Sequence, residues 1–358
     1  MSWREGAEAL VLPHGKRSLM ADIERANGHR PQGLLHVLHP ALMSAPRPRP
    51  EDLDFDLDET LASIVSLRSK VPEEAFTSSF LGTDRQGSGV LIDNDGLVLT
   101  IGYLISEAES VTLSTVNGLS VQAHPVAYDY ESGFGLVRAI QPLGVKPMAL
   151  GSSAEVQERD TVIVGSAGGR AYAISVRVVS KREFAGYWEY LLDEAIFTSP
   201  PHPAWSGAAL IGKSGHLIGI GSLIVEEARR GERPAPGNMF VPIDILKPIM
   251  SDMVARGPHG RSGRPWLGMY TAEAEDRLII TGVFSGGPAD EAGVEAGDAI
   301  VALNGEDVES VADFYRKIWA SGSAGVEVTL SVQREGQEIH LPIRTGDRRR
   351  LMRAPKGH

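Results

Sequence analysis

Cysteine is absent from the 358 residues. Its absence excludes disulfides, thiol catalysis and thiolate metal sites, and it leaves the compartment open. Long apolar runs are missing too. No stretch approaches the ~20 apolar residues that span a bilayer. The mildly apolar segment from Gly33 to Ala45 is broken by His36, His39 and Pro40 and follows a polar lead with Glu5 and Asp22. That is a poor match to a signal peptide, so the chain reads as cytoplasmic as it stands, with a hidden export signal as the alternative. Positive charge is in short supply: 35 Lys+Arg against 46 Asp+Glu give a net charge of −11. This argues against general nucleic-acid binding, which needs a basic footprint. The basic tail with Arg348, Arg349, Arg350 and Arg353 reads as a solvated terminus. No histidine pair has metal-ligand spacing with a nearby carboxylate, and His36 with His39 is too isolated to count. Gly165-Ser-Ala-Gly-Gly169 lacks the Lys-Ser/Thr ending of a phosphate loop and reads as a β-turn. No metal and no cofactor are expected.

What the chain has instead is glycine, 40 residues of it, among short apolar runs. Residues 1–50 show no sustained period and end in the proline run Ala45-Pro-Arg-Pro-Arg-Pro50, an extended segment. Strand-length runs follow at Leu61–Leu67, Gly89–Ile92, Leu97–Ile101, Ser110–Leu113, Gly135–Ile140, Thr161–Gly165, Ala173–Val179, Glu189–Leu192, Ala209–Ile211 and Leu217–Ile220. Asn94-Asp-Gly96 and Lys213-Ser-Gly215 carry hairpin chemistry between such runs. The pattern predicts an all-β barrel or sandwich. Helical spacing then appears at Ile245, Ile249, Met250 and Met253 within Ile243–Ala255. The expected organisation is an irregular extension (1–50), a first domain (51–256), a Gly/Pro linker (257–264), a smaller β unit with two helices (265–346) and the basic tail (347–358).

One serine stands out. In Ser199-Pro-Pro-His-Pro-Ala-Trp-Ser206-Gly-Ala-Ala-Leu210, a serine follows a Pro-rich loop and precedes Gly and a strand. Such a loop suits a nucleophile whose backbone N–H groups cradle an oxyanion. On this loop, on Gly87-Ser-Gly-Val90 with the run to Thr100, and on Phe240-Val-Pro-Ile243, the chain resembles the trypsin-like serine proteases of the HtrA (Deg) family. The second unit looks like a PDZ domain of the HtrA type. There the matching segments are Arg264-Pro-Trp-Leu-Gly-Met269, Gly286-Gly-Pro-Ala289, Ala296-Gly-Asp-Ala-Ile300 and Asn304-Gly305. The resemblance covers roughly residues 58–346. It implies a mainly β fold, a trypsin-like double β-barrel followed by a PDZ domain.

The departures from the family pattern concern catalysis. Where the family reads Thr-x-x-His-Val, this chain reads Thr100-Ile-Gly-Tyr103-Leu104, so Tyr103 takes the triad histidine position. A phenol with an ordinary pKa near 10 is a poor general base at neutral pH. Where the family places its triad aspartate, the run Asp129-Tyr-Glu-Ser132-Gly133-Phe-Gly-Leu136 places Gly133. Ser206 is retained, and Ala204 replaces an oxyanion-loop glycine. In a studied serine protease, losing the base alone lowers turnover by about 10⁶; residual catalysis of ~10³–10⁴ over water survives through the oxyanion hole and binding. Of possible substitutes, His202 reads as a loop histidine, His124 and His216 as solvated, and Asp129 and Asp193 as turn residues.

The family resemblance implies that the PDZ-like unit captures C-terminal carboxylates of peptides or proteins and accepts them as an added strand. Trp266, Leu267, Gly268 and Met269 match the carboxylate loop, with Leu267, Met269, Tyr270 and Ile318 as candidate pocket residues. It also implies a trimer, whose contact is expected in Val71–Leu81 with Phe76 and Phe80, and a periplasmic setting as the alternative to the cytoplasm. The leading expectation is a pseudoprotease acting as a peptide-binding scaffold. The alternatives are an active endopeptidase using Ser206 with a non-standard base, and a subunit of a larger assembly whose PDZ groove is occupied or vestigial.

Overall fold

The computed structural model describes residues 45–231, 233–257, 263–274 and 277–353. Most of the extension, with His36 and His39, lies outside the described residues, as do 258–262 of the linker and 354–358 of the tail.

Two closed six-stranded barrels form the core of residues 64–242. The first contains β1 (Ile64–Lys70), β2 (Asp84–Leu91), β3 (Leu97–Ile101), β4 (Ser110–Ser114), β5 (Ser120–Tyr128) and β6 (Phe134–Ala139), closed in the order β1-β2-β3-β6-β5-β4. The second contains β7 (Thr161–Gly165), β8 (Ala173–Gly186), β9 (Tyr190–Ser199), β10 (Ala209–Ile211), β11 (Leu217–Arg229) and β12 (Ala235–Pro242), closed in the order β10-β11-β12-β9-β8-β7. All pairings are antiparallel. Closure leaves no unpaired edge strand in either barrel.

Two helical segments differ from the sequence pattern. The run from Leu61 was expected as strand, but Leu57–Ala62 is a short helix, α1. Asp56 caps it by accepting the Glu59 N–H at 3.0 Å, and Leu57 and Leu61 are buried. The local cap therefore outweighs the apolar run. A second short helix, α2, spans Ser78–Leu81. The helix expected over Ile243–Ala255 is divided into a 3₁₀ turn (Ile243–Ile245) and α3 (Met250–Arg256).

The second unit is a sheet in the order β13-β14-β15-β17-β18, with β16 paired to β15. Its strands are β13 (Met269–Ala274), β14 (Arg277–Val283), β15 (Ala299–Leu303), β16 (Glu306–Asp307), β17 (Glu327–Arg334) and β18 (Gln337–Arg344). Helices α4 (Pro288–Glu291) and α5 (Val311–Ala320) accompany it. Ser310 caps α5 through the Asp313 N–H.

The two units share surface. The ring of Phe76 lies 4.6 Å from that of Phe284 and 5.8 Å from that of Phe80. Arg264 pairs with Glu131 at 2.8 Å and lies over the Trp319 ring at 4.5 Å. The aromatic pair expected at a contact between subunits thus packs within one chain through Phe76.

Candidate functional site

The nucleophile-like loop is built by close backbone approach between the barrels. Ser88 donates its N–H to the Ser206 carbonyl at 2.8 Å. Its own carbonyl accepts from Thr100 Oγ1 at 2.7 Å, and its hydroxyl accepts from the Ala167 N–H at 3.1 Å. A Cβ on Gly87 would stand 2.6 Å from the Ser206 carbonyl oxygen. Gly207 has φ +71°, and a Cβ there would overlap the Ser88 carbonyl. These glycines are therefore required by space, and at Gly207 by backbone conformation too. The Gly87-Ser-Gly-Val90 motif is the seat on which the Ser206 loop rests.

Tyr103 sits in the 3₁₀ turn Gly102–Leu104 that follows β3. Its phenol oxygen lies 2.9 Å from Ser206 Oγ and 2.8 Å from the Ser222 carbonyl oxygen. A phenol has one proton and a carbonyl can only accept. Both contacts are satisfied together when the phenol donates to Ser222 and the Ser206 hydroxyl donates to the phenol. Burial pushes the Tyr103 phenol above its ordinary value near 10, only partly opposed by hydrogen bonding to Ser206. The group facing Ser206 is thus a neutral phenol whose proton is already directed to a carbonyl.

The turn is anchored from behind by a buried charge network. Arg85 is 1% exposed and donates to the Tyr103 carbonyl at 2.8 Å, the Ser106 carbonyl at 2.9 Å and Thr77 Oγ1 at 2.7 Å. Glu107 accepts from the Phe76 N–H, the Thr77 N–H and the Thr77 hydroxyl. Burial brings the Arg85 guanidinium down to about 10, with Glu107 opposing. Both charges are satisfied by several hydrogen bonds, as buried charges must be.

At the expected aspartate position, Gly133 has φ +83° and donates its N–H to the Asp129 carbonyl at 2.8 Å. The Asp129 carboxylate closes the same turn by accepting from the Ser132 N–H and hydroxyl, as expected for a turn residue. Asp193, expected in a turn, instead lies within β9 and pairs with Arg316 at 2.7 Å.

His202 lies in the loop before Ser206 and is fully buried. Its Nδ1 accepts the Ala204 N–H at 3.0 Å, so Nε2 carries the proton and donates to the Tyr172 carbonyl at 3.1 Å. Burial lowers its pKa to about 4. Both ring nitrogens are engaged away from Ser206. The same bond takes the Ala204 N–H that an oxyanion loop would offer. His124 and His216 are exposed. Among the described residues, no histidine hydrogen-bonds Ser206.

The segment expected as the carboxylate loop of the second unit already binds a side chain of the first. Glu189, in the turn between β8 and β9, reaches across the unit boundary. Its Oε1 accepts from the N–H groups of Leu267 (3.2 Å), Gly268 (2.8 Å) and Met269 (3.4 Å), and Oε2 accepts from Leu267 (3.1 Å). Gly268 has φ +78°, which turns successive N–H groups toward one side. Leu267, Met269 and Ile318 are buried in the second unit's apolar cluster. Tyr270 is half-buried, with its ring 5.8 Å from that of Tyr187. Trp266 packs against Phe284 at 5.9 Å. Tyr103, Tyr128, Gly133, Trp188, Glu189 and Ser222 also line one cavity between the units.

Glu189, Tyr190 and the Ser222 carbonyl also belong to this neighbourhood. Only the aromatic-rich turn Gly186-Tyr-Trp-Glu-Tyr190 hinted at the first two, and nothing local marks the third.

Family models agree with this architecture. Residues 87–220 match the trypsin-like peptidase domain and residues 265–345 match the PDZ domain. A probable periplasmic serine protease do/HhoA-like of Haemophilus influenzae is 26% identical over 288 residues, 74% of this chain and 59% of the relative. Periplasmic serine endoprotease DegP of Escherichia coli is 26% identical over 280 residues, covering 72% and 56%. Serine endoprotease DegS of Haemophilus influenzae is 24% identical, covering 74% and 77%. The chain thus spans less than two thirds of the length of the first two. In fold it is similar to the HtrA-type protease AlgW with decapeptide, with a TM-score of 0.51, 18% identity and coverage of 82% of this chain and 99% of that one. The relatives' names give no support to the cytoplasmic expectation, and among the described residues no helix is long and apolar enough to cross a membrane. With two barrels meeting at the Ser206 loop and a PDZ domain behind them, the chain belongs to the HtrA family of serine protease homologues.

Proposed function

We propose that this chain is a pseudoprotease: an HtrA homologue that no longer hydrolyses peptides and works as a binding scaffold through its PDZ domain. The observation that carries this reading is the bond between Ser206 Oγ and the Tyr103 phenol. A serine needs a base that accepts its proton as the bond to carbon forms. Here the partner is a neutral phenol, itself committed to the Ser222 carbonyl, and accepting the proton would make it a cation. Ionising the phenol first is opposed by its burial. The orienting carboxylate is replaced by Gly133, and the Ala204 N–H is held by His202. An active endopeptidase with a substitute base gains no support from His202, whose nitrogens are both engaged.

The PDZ domain keeps a cradle of three N–H groups that holds a carboxylate, the group that ends every protein chain. Protein C-termini are therefore the ligand class that fits it best. Two of the relatives are named periplasmic, and we place this chain in that compartment with them. Trimer formation, expected at Val71–Leu81, would have to use surface that Phe76 does not already present to Phe284. Light scattering of the full chain measures it.

The test of the pseudoprotease reading is direct. The purified protein is treated with a fluorophosphonate probe and, separately, with unfolded casein. The expected result is labelling and cleavage no greater than in Ser206→Ala. Robust cleavage that Ser206→Ala abolishes would overturn it.

A further inference from the structure

We infer that the β8–β9 hairpin is an internal ligand of the PDZ domain, and that a partner chain end must displace it to bind. This rests on the reading of the PDZ domain as a C-terminus binder and identifies what controls access to it.

Four features of the hairpin reproduce what a bound chain end would supply. First, the Glu189 carboxylate takes the three successive N–H groups of Leu267, Gly268 and Met269. Second, two residues earlier, the Tyr187 carbonyl accepts the Thr271 N–H at 3.1 Å. β13 is the edge strand of its sheet, so the hairpin adds backbone to that edge as an external peptide would. Third, Leu191 is buried and belongs to the same apolar cluster as Leu267, Met269, Phe314 and Ile318. It supplies the aliphatic side chain that accompanies the carboxylate. Fourth, the buried Tyr315 phenol of α5 accepts the Glu189 N–H at 3.1 Å, donates to the Gly186 carbonyl at 2.8 Å and lies 2.9 Å from Thr271 Oγ1.

Outside the groove the hairpin is clamped by Arg316, which reaches both Glu183 (2.5 Å) and Asp193 (2.7 Å), and by Arg348, which donates to the Trp188 carbonyl at 3.3 Å.

Removing the hairpin would leave the cradle N–H groups and the Tyr315 phenol without these partners. Buried polar groups left unsatisfied are costly, so the open state favours any ligand that restores the same bonds. The chemistry selects a free C-terminal carboxylate on an aliphatic residue, with extended backbone before it. An occupied groove lowers apparent affinity by the fraction of molecules that are open.

The experiment uses the full chain and a fluorescein-labelled peptide ending in Ala-Gly-Tyr-Trp-Leu with a free C-terminus, alongside its C-terminal amide. Glu189→Lys places a cation against three N–H donors and expels the hairpin tip. Arg316→Glu, on the surface, loosens the hairpin base without touching the groove and serves where the first variant folds poorly. Hydrogen exchange reports the hairpin independently of any peptide. The expected result is at least tenfold faster exchange across 186–191 in both variants, at least tenfold tighter binding of the acid peptide than in the wild type, and no binding of the amide. Unchanged exchange would overturn the internal-ligand assignment. Faster exchange with binding equal to wild type would overturn the gate. Faster exchange with no peptide bound would overturn the C-terminus-binding reading of the domain, and with it the displacement, while leaving the docked hairpin standing.

Discussion

The phenol of Tyr190 stands beside the Cα of Gly133: a Cβ at position 133 would lie 3.0 Å from the Tyr190 hydroxyl. That hydroxyl donates to the Ser132 carbonyl at 2.7 Å, and the ring is buried. The space into which a triad carboxylate would project is filled and hydrogen-bonded. On the proposed pseudoprotease reading, this neighbourhood opposes a triad carboxylate as much as the missing side chains do.

Restoring the family's triad residues at their positions should therefore fail. In Tyr103→His/Gly133→Asp, the new aspartate must adopt φ +83° and displace Tyr190. A non-glycine residue in the left-handed region costs about 1–2 kcal/mol, and the crowding adds to it. We expect a lower urea midpoint than wild type and casein cleavage no greater than in Ser206→Ala. Cleavage well above that background would show that the Tyr190 environment is no barrier.

The seat of the Ser206 loop should be intolerant of one methyl group. Gly207→Ala combines φ +71° with a Cβ driven into the Ser88 carbonyl, a backbone atom that cannot step aside. We expect destabilisation of about 3 kcal/mol or more, read as a shift in the urea midpoint. Ser88→Ala, which removes only the bond to the Ala167 N–H, should cost about 1 kcal/mol. Equal effects of the two variants would mean the close approach is not what positions the loop.

Much of this seat was legible. Gly87, Ser88 and Gly207 lie in short motifs whose spacing carries their meaning, and Tyr103 and Gly133 are read by position within such motifs. The runs that become β2 and β3 are visible because they are apolar and are followed by Asp93 and Gly102. β5 escaped notice because His124 and Pro125 interrupt its alternation, and β12 because Pro236, Gly237 and Asn238 weaken its start. β13 was hidden within the expected binding loop, where Gly268 masked the strand that begins at Met269. The Glu189 contact was beyond reach for another reason. It joins residues 78–80 apart in sequence through a turn that looks like any polar hairpin tip. Its partners are backbone N–H groups, which have no signature in the sequence of side chains.

His202 should make the fold acid-sensitive. Its imidazole is held at about 4 in the folded chain, against about 6.5 when free. The native state therefore binds fewer protons than the unfolded one below pH 6.5. The stabilising contribution is fully present above 6.5 and is lost as pH falls through 4, at most about 3 kcal/mol. His202→Asn keeps an acceptor for the Ala204 N–H but does not titrate. We expect it to be less stable than wild type at pH 7.5 and to lose less stability between pH 7.5 and 4.5. Parallel losses in the two proteins would mean that other groups account for the acid sensitivity.

Glu189 should act with the opposite sign. Burial raises its carboxyl to about 7 from the ordinary 4.5, against the pull of the three cradle N–H groups and Arg348. The groups facing it are Arg348 from the C-terminal turn, Tyr315 from α5 and Tyr270 from β13; the phenols are held neutral by burial, above their ordinary range. Only the carboxyl therefore titrates near neutrality. The docked hairpin binds a proton that the released one gives up. Its stabilisation is fully present below 4.5 and is lost as pH rises through 7. Opening becomes easier on the alkaline side, and the acid peptide should bind wild type tenfold or more tightly at pH 8 than at pH 5.5. Glu189→Lys has no such carboxyl, and its affinity should stay nearly flat over the same interval. Anisotropy titrations at the two pH values measure both, and a wild type as flat as the variant would remove Glu189 as the group that governs access.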